Sequence, residues 1–277
     1  MRLDRTDYRL EFEDDFDSPT LDRTRWLPYY LPQWSSRAAS APRYDIGDGV
    51  LRLRIDRDQQ PWCPEWDGDV RASSLQTGLF AGPVGSPIGQ HQFAPGLVVR
   101  EAQEPAALYT PQYGLIECRA RAIADPATMV ALWLIGYEDR PERSAEILVF
   151  EIFGRDVVPG SAAVGMGVHP FGDPSIADDV EQVALPLDAG EFHDYAMEWT
   201  PEHVGFFVDE QRVRDVAQSP AYPMQLMLNV YEFARDEQES ASDRYPKEFL
   251  VDWVRGWRRD GDADQEGLNS IVGSGLG

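Results

Sequence analysis

Two glutamates stand inside an otherwise apolar stretch, Ser144–Gly154 (SAEILVFEIFG). A glutamate at a strand end that faces solvent is an ordinary surface residue. Glu146 and Glu151 fit that reading badly, because the residues between and after them are nearly all apolar. A regular strand alternates its faces, so 146, 148 and 150 share one side and 151 belongs to the other. A one-residue bulge between 148 and 151 would return Glu151 to the face of Glu146, and bulges re-aim side chains beside active sites. The spacing then predicts a backbone separation of roughly 6–7 Å. The carboxylate heads could reach the roughly 5–5.5 Å used in double displacement at a glycosidic carbon. Burial and like charge would drive their pKa values apart, leaving one group ionised and the other holding a proton.

Other chemistry is sparse. The four histidines are His91, His169, His193 and His203. His169, in VGMGVHPFGDP, follows a strand candidate and is the best third site residue; its alternative is a surface loop. His91 and His203 lie in polar, turn-like surroundings and carry no signal. Two aromatic segments, WLPYYLPQW and QQPWCPEW, hold Trp26, Trp34, Trp62 and Trp66. They either pack loops onto the body of the protein or present flat rings to a cleft, and at least one segment is expected to do the latter. No nucleophile elbow, phosphate loop or zinc-protease motif occurs. GMGVHPFG is not a dinucleotide fingerprint, because no helix is predicted after it.

The elements that must position the glutamates read as strands. Val50–Ile55 (VLRLRI) alternates apolar residues with arginine, and Tyr113–Ile123 alternates after a glycine. Met129–Ile135, Ile147–Phe153, Tyr195–Trp199, Val204–Val208, Met224–Val230 and Phe249–Trp257 are further candidates. Helical signals are scarce; a short turn near Asp179–Val183 is the best of them. Gln59–Gly68 and Arg235–Tyr245 read as loops, and Gly261–Gly277 as a frayed tail. Many short strands with turns between them predict an all-β antiparallel sandwich, in one domain over 1–277.

Charge narrows the partners. The 277 residues carry 48 Asp and Glu against 25 Lys and Arg, a net charge of −23, and Lys247 is the only lysine. Such a surface repels phosphate backbones and anionic lipids, so neither nucleic acid nor a membrane is expected as partner. Cys63 and Cys118 can form one disulfide at most and lack metal-ligand spacing. No membrane-length apolar run and no secretion signal is present. A cytoplasmic protein follows if Met1 is the natural start, and a secreted one if an upstream signal has been removed. A monomer is expected.

Taken along the chain, the sequence resembles glycoside hydrolase family 16, the laminarinase and lichenase group. Glu146–Glu151 (EILVFE) is similar to the bulged form of its signature, Glu, apolar, Asp, two apolar, Glu, except at the Asp. FEDDF followed by LDRTRW, YGLIECRAR, ALWL, FHDYAMEWTP and FLVDWV resemble its other landmarks in order, from about residue 10 to 259. The resemblance implies a concanavalin-like jelly-roll of two antiparallel sheets with a concave substrate cleft. It implies retaining endo-hydrolysis of a β-linked polysaccharide such as a β-1,3(4)-glucan, with Glu146 as nucleophile and Glu151 as acid/base. Trp133 would stack on a sugar, with Trp34, Trp62, Trp66 and His169 as further substrate contacts. No cofactor is implied; a structural Ca²⁺ away from the cleft would draw on Glu13 and Asp252.

One position departs. The family's Asp between the glutamates is Leu148 here, which neither donates nor accepts and would desolvate both neighbours, raising their pKa values. Two other readings on the same scaffold therefore stand: a carbohydrate-binding protein that has lost turnover, and an enzyme acting on a small intracellular glycoside or metabolite.

Overall fold

In the computed structural model, which describes residues 1–234 and 244–261, two large antiparallel sheets face each other. The outer sheet has eight strands. Its main path runs Gln211–Val216, Val204–Val208, His193–Trp199, Gly114–Arg121, Lys247–Arg259, Val50–Ile55, Arg43–Gly47, with Tyr8–Asp14 paired to the far half of Lys247–Arg259. The inner sheet has seven: Val157–Val158, Ser161–His169, Glu146–Phe153, Thr128–Gly136, Met224–Glu232 and Arg71–Gln76 in order, with Asp179–Leu185 beside Ser161–His169. This is the expected jelly-roll sandwich.

Period-two patterning explains which face goes where. On Thr128–Gly136, Val130, Leu132 and Leu134 point into the space between the sheets, while Ala131 and Trp133 point the other way. Burying an alternating row of this kind against a second sheet contributes about 1.5–3 kcal/mol per large apolar side chain. The inner sheet is apolar on both faces, so its second face also needs cover. Loops supply it: Tyr30, Leu31, Trp34, Trp62, Leu97 and Val99 form a second buried cluster with Ala131, Trp133, Leu148, Met227 and Tyr231.

All eight strand candidates form, within a residue or two at most ends. The turn expected near Asp179–Val183 is instead the edge strand Asp179–Leu185, held by the full register from Ala162↔Leu185 to Val168↔Asp179. Sheet pairing overrides a weak helical signal there. The loop at Gln59–Gly68 contains one helical turn, Pro64–Asp67. Most of the loop expected at Arg235–Tyr245 and of the tail expected at Gly261–Gly277 lies outside the described residues. Cys118 is buried in the main core and Cys63 under the loops on the opposite side of the inner sheet, so they do not pair. Among the described residues no helix is long and apolar enough to cross a membrane.

Candidate active site

The strand Glu146–Phe153 carries the bulge that the parity argument requires. Against Thr128–Gly136 its register runs Ile135↔Glu146, Trp133↔Leu148, then Leu132↔Phe150 and Ala131↔Glu151, with Val149 the extra residue. The neighbour on the other side shows the same slip, Gly167↔Leu148 and Gly165↔Glu151. Val149 and Phe150 both turn into the main core, so Glu146, Leu148 and Glu151 all emerge on the loop-covered face. One expectation is corrected. Four residue steps on the partner strand separate Glu146 from Glu151, which is roughly 13 Å at the backbone rather than 6–7 Å. The bulge makes 146 and 151 second neighbours on their face, with Leu148 between them. Their side chains must lean across Leu148 to converge.

They do share one cleft of about 230 Å³, whose lining includes Tyr30, Trp62, Asp67, His91, Trp133 and Tyr231. Glu146 is 5% exposed. The Glu151 carboxyl is pushed up from its ordinary value, first by burial and then by the charge of Glu146, against a smaller pull from His169 and Arg155. Asp67 is also raised by burial, although it accepts a hydrogen bond of 2.6 Å from Trp62 Nε1. Among the described residues no lysine or arginine lines this cleft.

The tryptophans are placed differently from expectation. Trp133 forms the cleft floor at 5% exposure and donates through Nε1 to Asn229 Oδ1 at 2.7 Å. Trp62 lines the wall with its ring almost covered, edge-on to Tyr30 at 4.5 Å. Trp34 is fully buried away from the cleft and donates to the Gln90 carbonyl at 2.8 Å, so it is a strut between loops. Trp66 lies outside the lining, beside Gly96, and Trp26 sits in the main core bonded to Asp14. Apolar loops need anchors, and an indole with a satisfied N–H serves as one. The half-buried rings in the cleft are Phe93 and Phe233.

His169 is the cross-strand partner of Glu146, but its ring turns to Asp178 at 2.8 Å and stands outside the lining. The histidine inside the cleft is His91, with Nδ1 2.7 Å from Glu146 Oε1. No sequence signal marked it, since it reaches the site from a loop 55 positions away. Asp67 was equally unmarked. Glu13 pairs with Arg255 at 2.9 Å and Asp252 with Arg119 at 3.1 Å, so both calcium candidates are engaged by arginines. Among the described residues no three His, Cys, Asp or Glu converge as a metal site.

Known proteins agree with this geometry. The chain is 27% identical over 261 residues to a beta-glucanase of Rhodothermus marinus, covering 81% of this chain and 88% of the relative. Its structure is similar to a GlcNAcα1-4Gal releasing endo-β-galactosidase from Clostridium perfringens, with a TM-score of 0.79 and 29% identity. That match covers 92% of this chain, which spans only 64% of the galactosidase's length. The fold is shared with the catalytic domain of an endo-1,3-beta-glucanase (laminarinase) from Thermotoga petrophila, at a TM-score of 0.64 and 18% identity over 91% of this chain and 98% of that one. The family description of glycosyl hydrolases family 16 matches residues 107–255, more than half of the chain and the whole strand that bears the glutamates; the chain belongs to that family of O-glycosyl hydrolases.

Proposed function

We propose that the protein hydrolyses a β-linked polysaccharide within its chain, with retention, using Glu146 as nucleophile and Glu151 as acid/base. The observation that carries this reading is the bulge at Val149, which turns both glutamates into one cleft. The different surroundings of the two acids support the division of labour. Glu151, raised by burial and by its neighbour, holds its proton at a pH where an exposed glutamate has lost it.

In the first step the Glu146 carboxylate attacks the anomeric carbon. The bond to the leaving oxygen breaks, and that oxygen takes the proton of Glu151. The product is a glycosyl ester on Glu146 and an ionised Glu151. Water then gives a proton to Glu151 and attacks the same carbon, and the ester bond to Glu146 breaks. Leu148, under the gap between the acids, keeps the floor apolar. Phe93 and Phe233 offer ring surface to pyranose C–H groups, the role first expected of the tryptophans.

A β-glucan is the substrate class favoured by the beta-glucanase relative, and within it a β-1,3(4)-glucan is our first candidate. A β-galactoside is the second reading, favoured by the higher structural likeness to the endo-β-galactosidase. Release of reducing ends from a panel of β-1,3-glucan, mixed-linkage glucan and β-galactan separates them, with Glu146→Gln and Glu151→Gln as blanks. Turnover on none of these, with glycan binding retained, would replace the hydrolase by the binding-protein reading.

A further inference from the structure

A carboxylate that must stay ionised while buried needs a basic or donating neighbour, and the strand that carries Glu146 provides none. Its neighbours on that face are Leu148 and, across the ladder, Ile135. The other acids and phenols around Glu146 are Glu151 on the same strand, Glu138 after Thr128–Gly136, Tyr30, Tyr231 and Asp67. His169, its cross-strand partner, is turned to Asp178. His91 is the group that approaches: its Nδ1 stands 2.7 Å from Glu146 Oε1 with both side chains largely buried, at ion-pair distance but not aligned as a hydrogen bond, so that Oε1 has no hydrogen-bond partner among the described residues.

The loop that brings His91 there is pinned residue by residue. Gly89 lies flat on Trp34, where a Cβ would come 2.8 Å from the indole. The Gln90 carbonyl takes the Trp34 and Gln33 side-chain N–H groups at 2.8 and 3.1 Å. The Gln90 side chain bonds Gln225 Oε1 at 2.6 Å and receives the Phe80 N–H at 2.8 Å. His91 itself has φ of +52°, a left-handed conformation that costs a non-glycine residue energy and persists only where surroundings enforce it. Its backbone N–H donates to the buried Glu138 carboxyl at 2.6 Å. Its ring is wedged between Trp133 (5.2 Å between centroids) and Phe171 (4.7 Å).

From this construction we infer that His91 is the positioning residue for Glu146: its imidazole, fixed at ion-pair distance from Oε1, keeps the nucleophile's carboxylate in place and in the ionised form, the task that Leu148 cannot perform. The role rests on Glu146 being the nucleophile; the coupling between the two side chains does not. Without the imidazole, Glu146 keeps its burial but loses the basic side chain beside its carboxylate, so keeping it ionised costs more.

Two measurements decide it. The first needs no turnover: the imidazole signals of the four histidines are followed by NMR against pH in the wild type and in Glu146→Gln, with His91→Phe identifying the His91 signal. The expected result is that the His91 midpoint drops by about one pH unit or more when the carboxylate is removed. Identical His91 titration in both proteins overturns the coupling. The second is kcat/KM against pH on whichever glycan is turned over. His91→Phe should move the acid limb upward by about one unit and cost about tenfold below it. His91→Asn, which tolerates the left-handed backbone and keeps an N–H near the Nδ1 position, should bring the limb back toward the wild type. A purely structural role would lower the whole profile without moving the limb, and that result overturns the assignment even if the NMR coupling is found. If no glycan is turned over, the hydrolase reading falls, while the NMR titration still decides whether His91 holds Glu146.

Discussion

Replacing Glu138 by glutamine tests whether the wall behind His91 is built around a neutral acid. Glu138 is 7% exposed and accepts the His91 N–H at 2.6 Å. Burial first, and the charge of Glu146 next, push its pKa from 4.5 up to about 8, with the hydrogen bond from His91 opposing. The folded value lies above the unfolded one, so the contribution to stability is full below about pH 4.5 and is lost as pH rises to about 8. At pH 7 the unfolded chain ionises this group and the folded chain does not. With about 1.36 kcal/mol per pH unit over the 2.5 units between 4.5 and 7, the cost to the fold is about 3 kcal/mol. At pH 4 the cost is close to zero. Glutamine keeps a carbonyl oxygen for the His91 N–H and does not titrate. Glu138→Gln should therefore gain stability relative to the wild type between pH 4 and pH 8, with the gain growing steadily across that window. At pH 7 the melting temperature should rise by roughly 5–10 °C. The assay is urea or thermal unfolding of both proteins at several pH values. A constant offset between them could reflect packing of the new amide. A stability difference that does not change with pH would refute the reasoning, because it would mean that Glu138 titrates normally in the fold.

Three further outcomes are expected. Lys247→Met should destabilise the protein by about 3–5 kcal/mol in urea unfolding, because it strips the buried Asp125 and Glu232 carboxylates of an ammonium at 2.5 and 3.4 Å. Leu148→Asp should cost several kcal/mol of stability, since Leu148 is 4% exposed among the cleft's apolar residues, and should move the alkaline limb of kcat/KM upward by placing a charge beside Glu151. Sulfated β-galactans should bind more weakly than neutral ones at low salt, with the difference shrinking as salt is added, because the net charge is −23 and the cleft is lined by Asp67, Glu146 and Glu151 and, among the described residues, by no lysine or arginine.

The sandwich was legible because its strands obey period two and its turns fall where glycine and proline interrupt them. Val204–Val208 and Val50–Ile55 match to the residue. The bulge was legible from a conflict: two acids of opposite parity in an apolar strand cannot both be surface residues. Its consequence for distance was misjudged, because inserting Val149 makes Glu151 the second neighbour of Glu146 on that face and not the first. The tryptophans misled for a physical reason. An inner sheet that is apolar on both faces has to be roofed, and Trp34 and Trp62 serve the roof before they serve a ligand. His91 was invisible because its role depends on φ, on the Gly89–Trp34 contact and on Glu138, none of which leaves a pattern in a polar loop.

Leu148 takes on a different meaning in this setting. The apolar face between Glu146 and Glu151 already has Asp67 in its lining and Glu138 behind its wall, so an aspartate at 148 would add a fifth acid to a cleft that no lysine or arginine among the described residues lines. Each added carboxylate would raise the pKa of the others and shrink the pH range in which one glutamate is ionised while the other is protonated. A leucine removes that repulsion, at the expense of the nearest polar neighbour of Glu146. The loop returns one by way of His91, whose Nδ1 stands 2.7 Å from the nucleophile and which adds no negative charge. The strand and the loop are thus two halves of one electrostatic arrangement, and the leucine makes sense only when the histidine is counted with it.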